Sequence, residues 1–83
     1  MKIKKKFGLV NPIVVSIDDE VVTIKRAGRK VTLQKHEIKG VHHERRAFRG
    51  HVLVIDTSTK PIYLKQSESA CKEAMQFITE LVR

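Results

Sequence analysis

The spacing of apolar residues changes period once along this chain, and that change limits what the chain can fold into. From Ile13 to Leu64 apolar side chains recur mostly at every second position, the repeat of a strand with one face on a core. From Ala70 to Val82 they recur at three and four, the repeat of a helix. A one-sided β layer needs a cover, and the only long helical pattern lies at the C-terminal end. The class that satisfies both is α+β: an antiparallel sheet or partly open barrel of about six or seven short strands, capped by one amphipathic helix.

The strands are delimited by turn chemistry. Ile13, Val15 and Ile17 alternate with Val14 and Ser16, and Asp18-Asp19 supplies side chains that bond their own backbone in a turn. Val22 and Ile24 alternate with Thr23 and Lys25; Ala27-Gly28-Arg29 is a hairpin connection; Val31 and Leu33 resume the alternation. Ile38 and Val41 sit three apart, which would place them on opposite faces unless Gly40 kinks or bulges the strand. Val52, Leu53, Val54 and Ile55 are apolar on both faces, so this strand must be covered twice, by a core and by a packed helix or neighbouring subunit. Thr57 to Pro61 is a turn, and Ile62, Tyr63 and Leu64 form the last strand.

The segment 67–83 is the helix. Ser67 is its N-cap and Glu68 places a carboxylate in the first turn. Ala70, Cys71, Ala74, Met75, Phe77, Ile78, Leu81 and Val82 fall within an arc of about 160°. At 83 residues the chain is one domain with a modest core and little room for a deep pocket.

Charge narrows the partners. The net charge is +8, and residues 1–50 hold 13 Lys and Arg against 5 acids, whereas residues 51–83 are balanced at 4 and 4. The first half is therefore the expected face for something acidic: nucleic acid, anionic lipid or an acidic protein surface. A single cysteine, Cys71, forbids an intramolecular disulfide and fits a reducing compartment. The start, Lys4-Lys5-Lys6 before Phe7-Gly8-Leu9-Val10, imitates a secretory leader, but Asn11-Pro12 breaks the apolar stretch and acids follow it. With no apolar run of membrane-spanning length, a cytoplasmic location is expected.

Within Val31–Val82, a strand leads to Ile38-Lys39-Gly40-Val41, Gly50 precedes Val52-Leu53-Val54-Ile55, and Ile62-Tyr63-Leu64 precedes the helix from Glu68. This order resembles the bacterial pleckstrin-homology-like (PH-like) domains over about two thirds of the chain. The resemblance implies a non-enzymatic module that binds proteins or anionic phospholipids and often self-associates. Lipid-binding members carry Lys and Arg in the first loops between strands, a placement that Arg26, Arg29 and Lys30 match if Ile13 begins the first barrel strand. The chain is shorter than most members, which implies a missing strand and an exposed edge.

Catalytic and metal chemistry find no constellation. His42-His43-Glu44 is the densest ligand cluster, but strand alternation sends His43 away from the other two, and zinc-site spacings are absent. Cys71 falls on the apolar arc and is expected to pack as a small hydrophobe. No phosphate loop, nucleophile elbow or acid pair is present. The reading is a protein without enzymatic activity, cofactor or small-molecule substrate.

The basic residues form three sets. Lys4, Lys5 and Lys6, with Lys2, make a basic run within residues 1–12, either an arm or an edge strand protected by lysines. Arg26, Arg29 and Lys30 flank Gly28. Arg45, Arg46 and Arg49 surround Phe48, a grouping that suits base stacking with phosphate contacts and equally a protein-binding hot spot, unless Phe48 tucks under the sheet. The leading expectation is a module docking on an acidic protein or on copies of itself. Nucleic-acid binding through the basic half is the alternative, and anionic-membrane binding a lesser one.

Overall fold

A computed structural model describes residues 2–48 and 50–83. Its elements are β1 (Lys2–Phe7), β2 (Ile13–Asp18), β3 (Val21–Arg26), β4 (Arg29–Gln34), a single 3-10 turn (Lys35–Glu37), β5 (Ile38–Arg46), β6 (Gly50–Thr57), β7 (Ile62–Lys65) and α1 (Glu68–Leu81). They form two antiparallel meanders, a four-stranded sheet β1-β2-β3-β4 and a three-stranded sheet β5-β6-β7, with no closed barrel. The seven strands include Lys2–Phe7, which joins the edge of the larger sheet.

The local chemistry explains the turns. Ala27 and Gly28 both take positive φ, 45° and 83°, the mirror-image turn whose twist suits a two-residue hairpin between β3 and β4. Asp19, at φ 56°, turns β2 into β3 with a residue type that tolerates the left-handed region. Gly8 ends β1 at φ 96°, where a Cβ would also collide with the Gln66 side chain. At the start of β5 the register shifts between Ile38 and Gly40, a bulge at Lys39 that leaves Ile38 buried and Val41 half-buried against the core.

One continuous apolar cluster draws on both sheets and on α1. Phe7, Ile13, Val15, Val22 and Ile24 come from the larger sheet, Ile38, Leu53, Ile55, Ile62 and Leu64 from the smaller, and Ala70, Cys71, Ala74 and Ile78 from the helix. Met75, Phe77, Leu81 and Val82 complete the helical arc as half-buried neighbours. Small residues Ala70, Cys71 and Ala74 bring the helix close to the β layer, while Ser67 caps it by accepting from the Ala70 amide. Phe77 meets Phe7 with ring centroids 5.6 Å apart, fastening the last turns of α1 to the end of β1. Burying about a dozen such side chains at ~1.5–3 kcal/mol each is the main favourable term for this small domain.

The sheets are tied at their ends as well as through the core. The Ser58 amide donates to the Glu37 carbonyl at 3.0 Å and the Lys35 amide to the Glu20 carbonyl at 2.7 Å. Gln66, just past β7, donates from its side-chain amide to the Val10 and Asn11 carbonyls at 3.1 and 3.0 Å, while its backbone amide reaches the His51 carbonyl. These bonds gather the β1–β2 loop and the beginning of β6 at one end of the molecule. Among the described residues, no helix is long and apolar enough to cross a membrane.

Candidate functional site

Strand alternation sorts the basic residues into two fates. On the outer face of the larger sheet, the register stacks three cross-strand rows: Lys6, Val14, Lys25 and Lys30; then Lys4, Ser16, Thr23 and Thr32; then Lys2, Asp18, Val21 and Gln34. The result is a solvent-facing layer with five lysines, three hydroxyl residues in its middle row and one acid, Asp18. Among the described residues none of these five lysines makes an ion pair. A mobile ammonium on a flexible stem adapts to an anionic surface without fixing its geometry, and this face concentrates five of them.

Lys5 goes elsewhere. It pairs with Val15 on the core side, and its ammonium lies 5.7 Å from the Phe7 ring centre and 5.6 Å from that of Phe77, sheltering the β1–α1 seam. The Lys4-Lys5-Lys6 run is thus split by the pleat, and only Lys4 and Lys6 belong to the lysine face.

The hairpin arginines are also committed. Arg26 Nε donates to the Lys65 carbonyl at 2.6 Å and an Arg29 terminal nitrogen donates to the Tyr63 carbonyl at 3.3 Å. Both acceptors lie on β7, the edge of the other sheet, so the two guanidiniums join the β3–β4 hairpin to a strand edge that no other strand pairs. Lys30, next to Arg29 in sequence and opposite Lys25 across the hairpin, remains on the outer face.

The third set divides too. Arg46 bonds Glu44 at 3.1 and 3.2 Å and stacks its guanidinium 4.7 Å from the Tyr63 ring centre. Glu44 also meets His42 Nε2 at 2.7 Å, and His42 Nδ1 lies 3.3 Å from Asp56. The Glu44 hydrogen bond holds His42 above its ordinary pKa, with the Asp56 carboxylate adding to the effect, while Glu44 is held below its own by His42 and then Arg46. This network spreads over the outer face of the smaller sheet. Arg45 and Phe48 stay exposed at the β5–β6 hairpin, Phe48 completely, so it does not tuck under the sheet. Arg49 lies outside the described residues.

The most exposed apolar residues lie in loops at the same end. Leu9 is fully exposed and Val10 is 75% exposed in the β1–β2 loop, which Gln66 ties to the beginning of β6 two residues after the Phe48 hairpin.

Two further arrangements complete the chemistry. His43 and His51 stack on the helix side of β5 and β6, with Nε2 of one 2.8 Å from Nδ1 of the other, and His51 Nε2 lies 3.6 Å from Glu68. Among the described residues, no cluster of three or more His, Cys, Asp or Glu is placed to hold a metal ion. Cys71 is buried against the core and desolvation pushes its thiol up, away from the reactive thiolate.

Sequence reasoning placed Lys2, Lys4, Lys6 and Lys30 in its basic sets but not Lys25, which completes the face with them. The signal was the parity of each lysine relative to its strand's buried residues, which becomes decisive once β1 is known to be a strand in register with β2. No protein-family model matches the chain, and no curated protein or solved structure is significantly similar to it.

Proposed function

We propose that this chain is a non-enzymatic interaction module of PH-like build that docks its lysine face on an acidic protein surface. The carrying observation is the five-lysine outer face of the larger sheet, free of ion pairs among the described residues, while Arg26 and Arg29 of the hairpin and Arg46 of the smaller sheet are engaged internally. Seven strands in two antiparallel sheets followed by a closing helix support the PH-like reading.

The character of the face weighs between partners. It has no aromatic residue on which bases could stack, which counts against single-stranded nucleic acid. Exposed Phe48, Leu9 and Val10 call for a partner with apolar surface, which a phosphate backbone does not offer. A second copy would bring the same +8 charge, and the lysines along β1 protect that edge from pairing with itself. An acidic protein meets both demands. Anionic membrane is the second reading, favoured by Leu9, Val10 and Phe48 standing exposed in loops of a strongly basic chain.

Titration at physiological salt with a peptide rich in glutamate and leucine, a duplex oligonucleotide and phosphatidylserine vesicles tests this. The peptide is expected to bind, Lys4→Glu with Lys25→Glu to abolish binding, and Phe48→Ala to weaken it about tenfold. Retention only by the oligonucleotide or only by vesicles would replace the protein partner with that one.

A further inference from the structure

We propose that His42 is a proton-operated clamp on the bulged start of β5: as an imidazolium it holds Asp56 of β6, and without its proton it lets Asp56 and the bulge go. The device is independent of what the lysine face binds.

Two carboxylates face one ring. His42 Nε2 lies 2.7 Å from a Glu44 oxygen, and Nδ1 lies 3.3 Å from an Asp56 oxygen. A neutral imidazole carries one N–H and one lone pair, so only the imidazolium offers a proton to both acids. The geometry is that of the charged ring. The same two acids favour that form, Glu44 first through its hydrogen bond and Asp56 through its charge. Other charged groups surround the site without replacing them. On β5, Arg46 is bonded to Glu44 and Lys39 sits in the bulge. On β7, Tyr63 stands across Val54 from His42, with Lys65 two residues on. From α1, Lys72, Glu80 and Arg83 share with His42 the lining of the groove beside its strand.

Losing the proton affects the two acids unequally. Glu44 is closer and keeps the remaining N–H, and Arg46 holds it besides at 3.1 and 3.2 Å. Asp56 makes no other ion pair among the described residues. Deprotonated Nδ1 turns a lone pair on its carboxylate, which is repulsive, and the Asp56 side chain is 49% exposed, so water receives it. Asp56 is the part that moves.

Its position gives that movement a consequence. Asp56 stands in register with Gly40, which has no side chain to hold it; even an added Cβ would lie 3.8 Å from the carboxylate. The next paired position is Ile38 opposite Thr57, which leaves Lys39 bulged. That bulge seats both Ile38 and Val41 toward the core, at a place where the ladder is locally disrupted. Among the described residues, His42–Asp56 is the only ion pair that joins β5 to β6. A proton on an exposed ring thereby sets how firmly two core residues are seated.

The test is amide exchange of the full chain, expressed as protection relative to an unstructured chain so that the intrinsic pH dependence of exchange cancels. It is followed through the His42 midpoint, read by proton NMR. Protection from Lys39 to Val41 and at Asp56 should fall about fivefold as pH rises through that midpoint, the scale of an exposed ion pair lost. Asp56→Asn should keep the protection and remove its pH dependence, because a side-chain amide can accept from an N–H or turn over and donate to a lone pair. His42→Gln should also make protection independent of pH, which assigns the effect to His42 and not to His43 or His51 on the opposite face. Constant protection in the unaltered chain overturns the proposal, and so does a fall that persists in Asp56→Asn or in His42→Gln. Tyr63 ring signals that move at the midpoint while the bulge amides do not would overturn it as well, because the Glu44–Arg46 side would then be the one released.

Discussion

The outer faces of the two sheets carry the same kinds of residue and use them in opposite ways. On the smaller sheet Arg46, Glu44, His42 and Asp56 are linked in series, and Arg46 also lies on Tyr63. Beneath them Val52 and Val54 are only 5% and 2% exposed, although they face away from the common core. The register places Val54 between His42 and Tyr63, and Val52 between Glu44 and Lys65, so the stems of polar side chains cover the valines while their heads satisfy one another. On the larger sheet the middle outward row is Lys4, Ser16, Thr23 and Thr32, the flanking rows hold half-buried Val14 and Val21, and none of the five lysines makes an ion pair among the described residues. A cation facing acids on its own sheet is drawn into a network with them. A cation among lysines and hydroxyls remains available to a partner.

Placing a charge where the smaller sheet hides a valine gives the largest expected effect. Val54→Asp should cost about 3–5 kcal/mol, since a carboxylate there would be nearly inaccessible to water and would have no cation assigned to it. Chemical denaturation measures this, and a loss under ~1 kcal/mol would mean that the outer face is a loose surface like its counterpart. Removing the clasp with Arg26→Ala and Arg29→Ala should cost less, about 1–3 kcal/mol for the pair, because the Tyr63 and Lys65 carbonyls can turn to water. Amide exchange in β7 should accelerate, and unaltered exchange would show that the two sheets are held by the core alone.

The network also sets a pH dependence. His42 is raised above 6.5 when folded, so its contribution is fully present below the unfolded value and is lost as pH rises through the folded one. Glu44 is lowered below 4.5, so its contribution is present above that value and is lost as pH falls through the folded one. Proton NMR should place the His42 midpoint above 6.5, and Glu44→Gln should bring it down. A midpoint that ignores Glu44→Gln would remove the link that distinguishes this face. The smallest stability effect belongs to the lysine face. Lys4→Glu with Lys25→Glu should shift unfolding by no more than about 0.5 kcal/mol, while eliminating acidic-peptide binding. A large loss of stability there would make those lysines structural and erase the contrast.

Much of this was legible in residue spacing. The apolar arc from Ala70 to Val82 corresponds to the side chains that α1 packs on the core, because helical phase alone decides which positions can face one direction. The bulge before Val41 was legible as well: two apolar residues three apart around a glycine admit few other solutions in a strand. The doubly apolar strand was legible only as a demand for two covers. A helix or neighbouring subunit was the expected second cover, whereas polar stems of adjacent strands supply it, an answer that depends on cross-strand register. Lys2–Phe7, left open as arm or edge strand, has alternation masked by lysines on both faces; pairing with β2 decides it.

By itself, the sequence determined the strand pattern from Ile13 to Leu64 and the helix after it, which helix face is buried and which half of the chain is basic, because these follow from local conformational preference and side-chain period. Only the tertiary structure decided what each basic residue is for. Lys4 and Lys5 are neighbours of identical chemistry, yet the pleat sends one to open solvent and the other over two phenylalanine rings. Arg29 and Lys30 are likewise adjacent, yet one closes on a β7 carbonyl and the other stays free. Sequence supplies a cation at each position, but whether that cation has a partner depends on which strands and faces lie across from it, and those are set by register and sheet packing between residues far apart in the chain.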